Sequence, residues 1–92
     1  MRVRHTSRAR GHLKRIHLYL VERDSQAAVK VMGRLAAAVA LLEEFPHLGH
    51  TTSVPGSRVI VAAGLPYLIV YRATDDEVII LGVFHAAQNK KP

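Results

Sequence analysis

The apolar positions of the chain repeat with two different periods. In the first half they recur every three or four residues. Ala9, Leu13, Ile16 and Leu20 form one stripe, with Arg10, Lys14, Arg15 and Glu22 mostly off it. That spacing predicts an amphipathic helix beginning near Arg8, with Thr6 or Ser7 as its N-cap. A second stripe, Ala28, Met32, Leu35, Val39 and Leu42, is reinforced by Val31 and Ala38. It predicts a second helix that restarts at Asp24 or Ser25 and is ended by Pro46 after Glu43-Glu44-Phe45. The short Arg23-Asp24-Ser25 link makes the two helices an antiparallel hairpin. Gly33, beside Ala36, Ala37 and Ala38, predicts close approach of another backbone. Ahead of the helices, Arg2 to Thr6 predicts a short edge strand.

Beyond Pro46 the helical period disappears. Residues 46–56 carry turn signals, PHLGH and VPG, and read as a loop. Arg58 to Val61 predicts a short strand, and Ala63-Gly64-Leu65-Pro66 turns the chain back. Tyr67 to Arg72 and Val78 to Phe84 then flank a polar Thr74-Asp75-Asp76-Glu77 turn, as in a hairpin. Both runs are apolar at almost every position, which predicts strands buried on both faces. Simple alternation groups Ile79, Leu81, Val83 and His85 on one side, and Val78, Ile80, Gly82 and Phe84 on the other. Gly82 in mid-strand marks a bulge or close packing. The fold class is therefore α+β: a short N-terminal strand and an antiparallel helix hairpin packed on a small antiparallel sheet. One domain spans residues 1–92, with 86–92 as a tail, and Gln88 to Pro92 looks dispensable to the core. The helix pair can cover only one sheet face, so a site or a protein-binding groove is expected on the other.

Composition narrows this picture. A chain of 92 residues that is 49% hydrophobic supports one small core, and the absence of cysteine excludes disulfides and thiolate metal sites. No stretch is read as a membrane span or secretory signal, so a cytoplasmic protein is expected. The net charge of +6 is concentrated in residues 1–34, which carry nine arginines and lysines against Glu22 and Asp24. Arg8, Arg10, Lys14 and Arg15 thus suit a polyanionic partner, either nucleic acid or an acidic protein segment.

Six histidines raise the question of a metal, but His12 and His17 lie five apart, roughly 140° around a helix. His47 and His50 sit in a loop with no nearby carboxylate. Neither a metal motif nor a phosphate-binding glycine loop occurs, so no metal or cofactor is expected. Chemistry then falls to Arg58, Tyr67, Tyr71, Arg72 and His85. Metal-free RNA cleavage needs a proton-transfer group and a cation on the scissile phosphate, roles open to His85 with Arg58 or Arg72. The other reading makes His85 a half-buried strand terminus and Arg72 a solvent-facing strand end. Tyr67 and Tyr71 share a strand face and suit either base stacking or core packing.

One combination of residues runs through nearly the whole chain. It comprises Ala9, Leu13, Ile16, Tyr19-Leu20 and Ala28; Leu41-Leu42, Phe45-Pro46 and Leu48-Gly49; Pro55-Gly56 and Arg58; Leu65-Pro66-Tyr67 and Val70-Tyr71-Arg72; and Glu77-Val78, Leu81, Val83 and His85. In order and spacing this resembles the ParE/RelE family of toxins from toxin–antitoxin modules, and its ParE-like branch in particular. The resemblance implies a small toxin in a hetero-oligomer with an antitoxin whose carboxy-terminal segment wraps it. ParE-like members poison DNA gyrase, whereas RelE-like members cut mRNA on the ribosome. Ribonuclease relatives typically carry arginine in a YRLxY pattern, where this chain has Leu68, and often a second arginine where it has Gln88. The expectation is a gyrase-poisoning toxin without a membrane segment. Arg8, Arg10, Lys14, Arg15, Tyr67 and Tyr71 would contact partners. The first alternative is a ribosome-dependent endoribonuclease using His85, Arg58 and Arg72. The second is an inactive toxin-like binding protein.

Overall fold

Thr6 ends the first strand and starts the first helix. In a computed structural model, which describes residues 1–89, strand β1 (Arg2–His5) leads into helix α1 (Ser7–Arg23) and helix α2 (Ser25–Glu44). Thr6 is the N-cap of α1: its hydroxyl oxygen accepts from the Ala9 N–H at 3.0 Å. Asp24 closes α1 and caps α2, its carboxylate accepting from the Gln26 and Ala27 N–H groups. Four strands follow: β2 (His50–Thr51), β3 (Ser57–Val61), β4 (Tyr67–Ala73) and β5 (Glu77–His85).

The sheet order is β1-β5-β4-β3-β2, with β1 parallel to β5 and every other pair antiparallel. The two helices lie on one face. Ala9 of α1 and Leu35 and Leu42 of α2 share the buried core with Tyr67, Ile69, Tyr71, Val78, Ile80 and Val83 of the sheet. The helix stripes and the meander are thus where the apolar periods put them.

Five expectations need correction. First, β4 and β5 are not buried on both faces: Leu68, Val70 and Ile79 on the far side are only partly covered, and Val61 is 64% exposed. Their run of apolar residues reflects one core face and one partly covered apolar face. Second, the alternation along β5 does not persist. Val70 pairs with Gly82 but Tyr71 pairs with Ile80, leaving Leu81 as an extra residue. This β-bulge resets the phase, so Val83 and His85 share a face with Val78 and Ile80. Gly82 fits both readings of it. It adjoins the bulge, and a Cβ there would meet the Phe84 ring at 2.8 Å and the His12 imidazole at 3.1 Å. Third, Gly33 is exposed and a Cβ there would meet nothing within 4 Å, so no backbone packs against it. Fourth, the 46–56 loop contains β2, a strand too short to show a period. Fifth, α2 is, by length and composition, long and apolar enough to cross a membrane, with a mean hydropathy of 1.3. Ala28, Leu35 and Leu42 nevertheless place one of its faces in the core.

Beyond His85, residues Ala86–Asn89 form a 3-10 turn, and the Ala86 N–H donates to the Pro66 carbonyl at 2.7 Å. The remainder of the expected tail, 90–92, lies outside the described residues.

A latch holds the loop after α2 to the sheet. The buried Tyr71 hydroxyl accepts from the Gly49 N–H at 2.8 Å, and Arg58 Nη1 donates to the carbonyls of Gly49 (2.8 Å) and His47 (3.3 Å). A Cβ at position 49 would come within 2.8 Å of the Val59 carbonyl, so glycine is required by the approach of another backbone.

Two substitutions test these joints. Thr6→Ala removes the cap of α1 and a hydroxyl contact to β5, and should lower unfolding free energy by about 1–2 kcal/mol, with Thr6→Ser nearly neutral. Tyr71→Phe leaves the Gly49 N–H buried without its acceptor and should cost about 1–3 kcal/mol. Urea denaturation reads both.

Candidate functional site

β5 runs on past the strand that pairs with it. β1 covers only Glu77 to Ile80, so the carbonyl of Leu81 and the N–H of Val83 face a sheet edge without a strand. Helix α1 fills that edge. The Thr6 hydroxyl donates to the Leu81 carbonyl at 3.3 Å, and the Val83 N–H donates to His12 Nδ1 at 3.1 Å. Because Nδ1 is the acceptor, the neutral imidazole carries its proton on Nε2.

Where α1 leans against the end of β5, the surface opens into a cleft of about 620 Å³. Its walls are His12, Arg15, Ile16 and Tyr19 from α1, Tyr67 from β4, and Val83, Phe84 and His85 from β5. Ring contacts organise it. His12 meets Phe84 edge-on with centroids 4.9 Å apart, and Tyr67 meets His85 edge-on at 5.4 Å. The Arg8 guanidinium lies 5.9 Å from the Phe84 centroid. His85 Nδ1 accepts from the Ala87 N–H at 3.1 Å. Burial, then the charges of Arg8 and Arg15, lower the His12 pKa below its usual 6.5, while burial and neighbouring Tyr19 raise that of the Tyr67 phenol. Near neutral pH, His12 is therefore an uncharged donor and Tyr67 an intact phenol. The fixed positive charge on the wall belongs to Arg15. No acidic side chain lines the cleft. Among the described residues no three histidines and carboxylates converge on a point that could hold a metal.

The sheet register separates the residues that would cooperate in RNA cleavage. His85 stands opposite Tyr67, and Arg58 opposite Tyr71, four residues further along β4. Strand rise and spacing put their backbones about 16 Å apart on the same face. Arg72 pairs with Ile79 and Ser57 on the other face, with its guanidinium against Gly56. Leu68 also lies on that other face, opposite Phe84 and Val61. The side chain of Gln88 lies outside the described residues.

The expected partner contacts divide. Arg8, Arg10, Lys14 and Arg15 are exposed along α1, but Arg10 is folded back onto the His5 carbonyl and the Ser7 hydroxyl. Tyr71 is 0% exposed, and its hydroxyl is taken by Gly49, so it is a core residue rather than a contact for any partner. Tyr67 is 9% exposed and lines the cleft. By sequence His12 reads as a candidate metal ligand and Tyr19 as part of a family pattern, and neither as the wall of a cleft. A signal for them did exist: His12, Ile16 and Tyr19 form a second helical row beside the apolar stripe.

Similarity to known proteins agrees with this architecture. A family model described as the ParE toxin of the type II toxin–antitoxin system, parDE, matches residues 3–90. The Sinorhizobium fredii protein Y4kP is 40% identical over 87 residues, covering 95% of this chain and 90% of that protein. A solved chain of the chromosomal ParDE TA system from P. aeruginosa superposes with a TM-score of 0.81 at 23% identity, over 92% of this chain and 95% of that one. The likeness to the solved chain is one of fold.

The His12 contact gives stability a pH dependence of defined sign. With its folded pKa below 6.5, the unfolded chain binds a proton that the folded chain does not. The stabilisation is complete above about pH 6.5 and declines as pH falls toward the folded pKa. Urea denaturation between about pH 7.5 and 5.5 should show a smaller acid loss of stability for His12→Gln than for the wild type.

Proposed function

Because the chain belongs to the ParE toxin family of type II toxin–antitoxin modules, we propose that it acts in the cytoplasm by binding DNA gyrase and trapping it on broken DNA. Its role as the toxin component, partnered by a cognate antitoxin, follows from the family. The gyrase target is the further step. On this reading the toxin works through its surface and leaves bond chemistry to the enzyme it poisons.

The observation that carries the proposal is the separation of Arg58, Arg72 and His85. Phosphodiester cleavage requires the proton-transfer group and the cation to meet at one phosphate. Arg58 is also held by two loop carbonyls, where it braces the 46–49 segment. Leu68 replaces the strand arginine of ribonuclease relatives with an apolar side chain. In support of a protein target, the sheet face away from the helices carries Val59, Leu68, Val70 and Ile79 partly covered and Val61 exposed. Partly exposed apolar surface of this kind is suited to burial by protein.

Induced expression without the antitoxin should produce covalent gyrase–DNA breaks while mRNA stays intact. Ribosome-dependent mRNA cuts, abolished by His85→Ala in a protein that still folds, would overturn the gyrase reading in favour of the endoribonuclease. Folded protein that does neither would identify an inactive toxin-like binding protein.

A further inference from the structure

We infer that the cleft between α1 and the end of β5 receives an acidic side chain of the cognate antitoxin, carried on an otherwise apolar segment. Its carboxylate would meet Arg15, and its apolar neighbours would lie against Phe84 and Tyr67. This inference rests on the toxin–antitoxin reading and adds to it a location and a chemistry of contact.

The cleft is rich in donors and has no acid of its own. Arg15 supplies a permanent cation, His12 an Nε2–H directed away from the Val83 bond, and the Tyr19 and Tyr67 phenols two hydroxyls. Among the described residues the ion pairs are Arg4 with Glu77 and Arg23 with Glu22, and neither involves Arg15 or Arg8. A carboxylate placed here would gain a charge-assisted hydrogen bond in surroundings already partly shielded from water by aromatic rings. Rings around a single arginine are also the composition typical of the tightly bound centre of a protein interface.

The arrangement of cations favours a protein over a nucleic acid. A phosphate backbone is held by a row of cations along its track. Three of the basic residues of this half are instead turned to the protein's own groups. Arg4 is paired with Glu77, Arg10 is bonded to His5 and Ser7, and Arg23 donates to the Tyr19 carbonyl while stacking 3.6 Å from its ring centroid. Of the cations not so engaged, Arg15 is the one that lines the ring-bearing wall of the cleft, and one cation on an apolar wall matches one carboxylate on an apolar segment.

Titration calorimetry with the purified antitoxin encoded beside this chain tests the inference. Arg15→Glu should weaken binding about tenfold or more. Lys14→Glu, the same charge change one residue away and outside the cleft, should weaken it less than about threefold. Replacing the antitoxin's acidic residues by lysine one at a time should yield one variant that restores binding to Arg15→Glu. Arg15 is exposed, so thermal melts should confirm that both charge variants fold, and Arg15→Ala serves if Arg15→Glu does not. Wild-type affinity in the Arg15 variant, equal weakening by Lys14→Glu, or no restoring antitoxin variant would each overturn the inference and leave the family reading intact. Failure of the wild-type chain to bind the neighbouring protein would instead overturn the toxin–antitoxin reading itself, and the inference with it.

Discussion

A nine-residue strand paired to a four-residue one leaves backbone groups that something else must satisfy. β5 is the centre of this protein, hydrogen-bonded to β4 along its length and to β1 along less than half of it. The remaining edge is closed by side chains of α1, with Thr6 on the Leu81 carbonyl and His12 on the Val83 N–H. Much else depends on this. It sets where α1 lies across the sheet, it protects an edge that would otherwise be open to strand addition, and it brings Arg15 and Tyr19 over the end of β5. The bulge at Leu81 falls at the point where the partner changes from strand to helix. It turns Val83 inward to the core and His85 toward the cleft.

The parts of this arrangement that repeat were legible in the residues. Two helical stripes, a tight Asp24 link and two apolar runs around Thr74 to Glu77 were enough to give the helix pair and the meander. What was not legible depends on contacts between distant residues. Nothing local to Leu81 announces an extra residue, although Gly82 marks the spot, so simple alternation puts every side chain beyond it on the wrong face. β2 has two residues and no period to detect. Gly33 met the local requirement for close packing, but no second backbone reaches it. His12 could be recognised as a histidine on a helix flank, yet its acceptor role exists only because Val83, 71 residues later, lacks a strand partner.

The same distinction applies to charge. Counting placed an excess of cations in the first 34 residues, and counting alone would make a polyanion site of them. Geometry turns several of them to the protein's own groups: Arg4 to a carboxylate, Arg10 to a carbonyl, and Arg8 and Arg23 to aromatic rings. The polar residues of the sheet half likewise form a group only by being few. Their register positions then assign Arg58 to bracing a loop and Arg72 to the opposite face. Tyr71 proves to be the largest of the fully buried side chains, a role consistent with its apolar surroundings, with its hydroxyl satisfied by the loop it holds.

The parallel pairing of β1 with β5 joins the beginning of the chain to its end. Residues 2–5 find their partners at 77–80, so the first strand made must wait for nearly the whole chain before its ladder can form. Loop closure on that scale is entropically costly and slow compared with forming the helix hairpin. The edge bonds from Thr6 and His12, the bulge and the cleft all require β5 as well. A growing chain therefore carries its helices early but completes its sheet only once β5 has been made. Any surface that includes β5, the cleft among them, thus comes into being only after residues 77–85 have been made, well behind the helix pair.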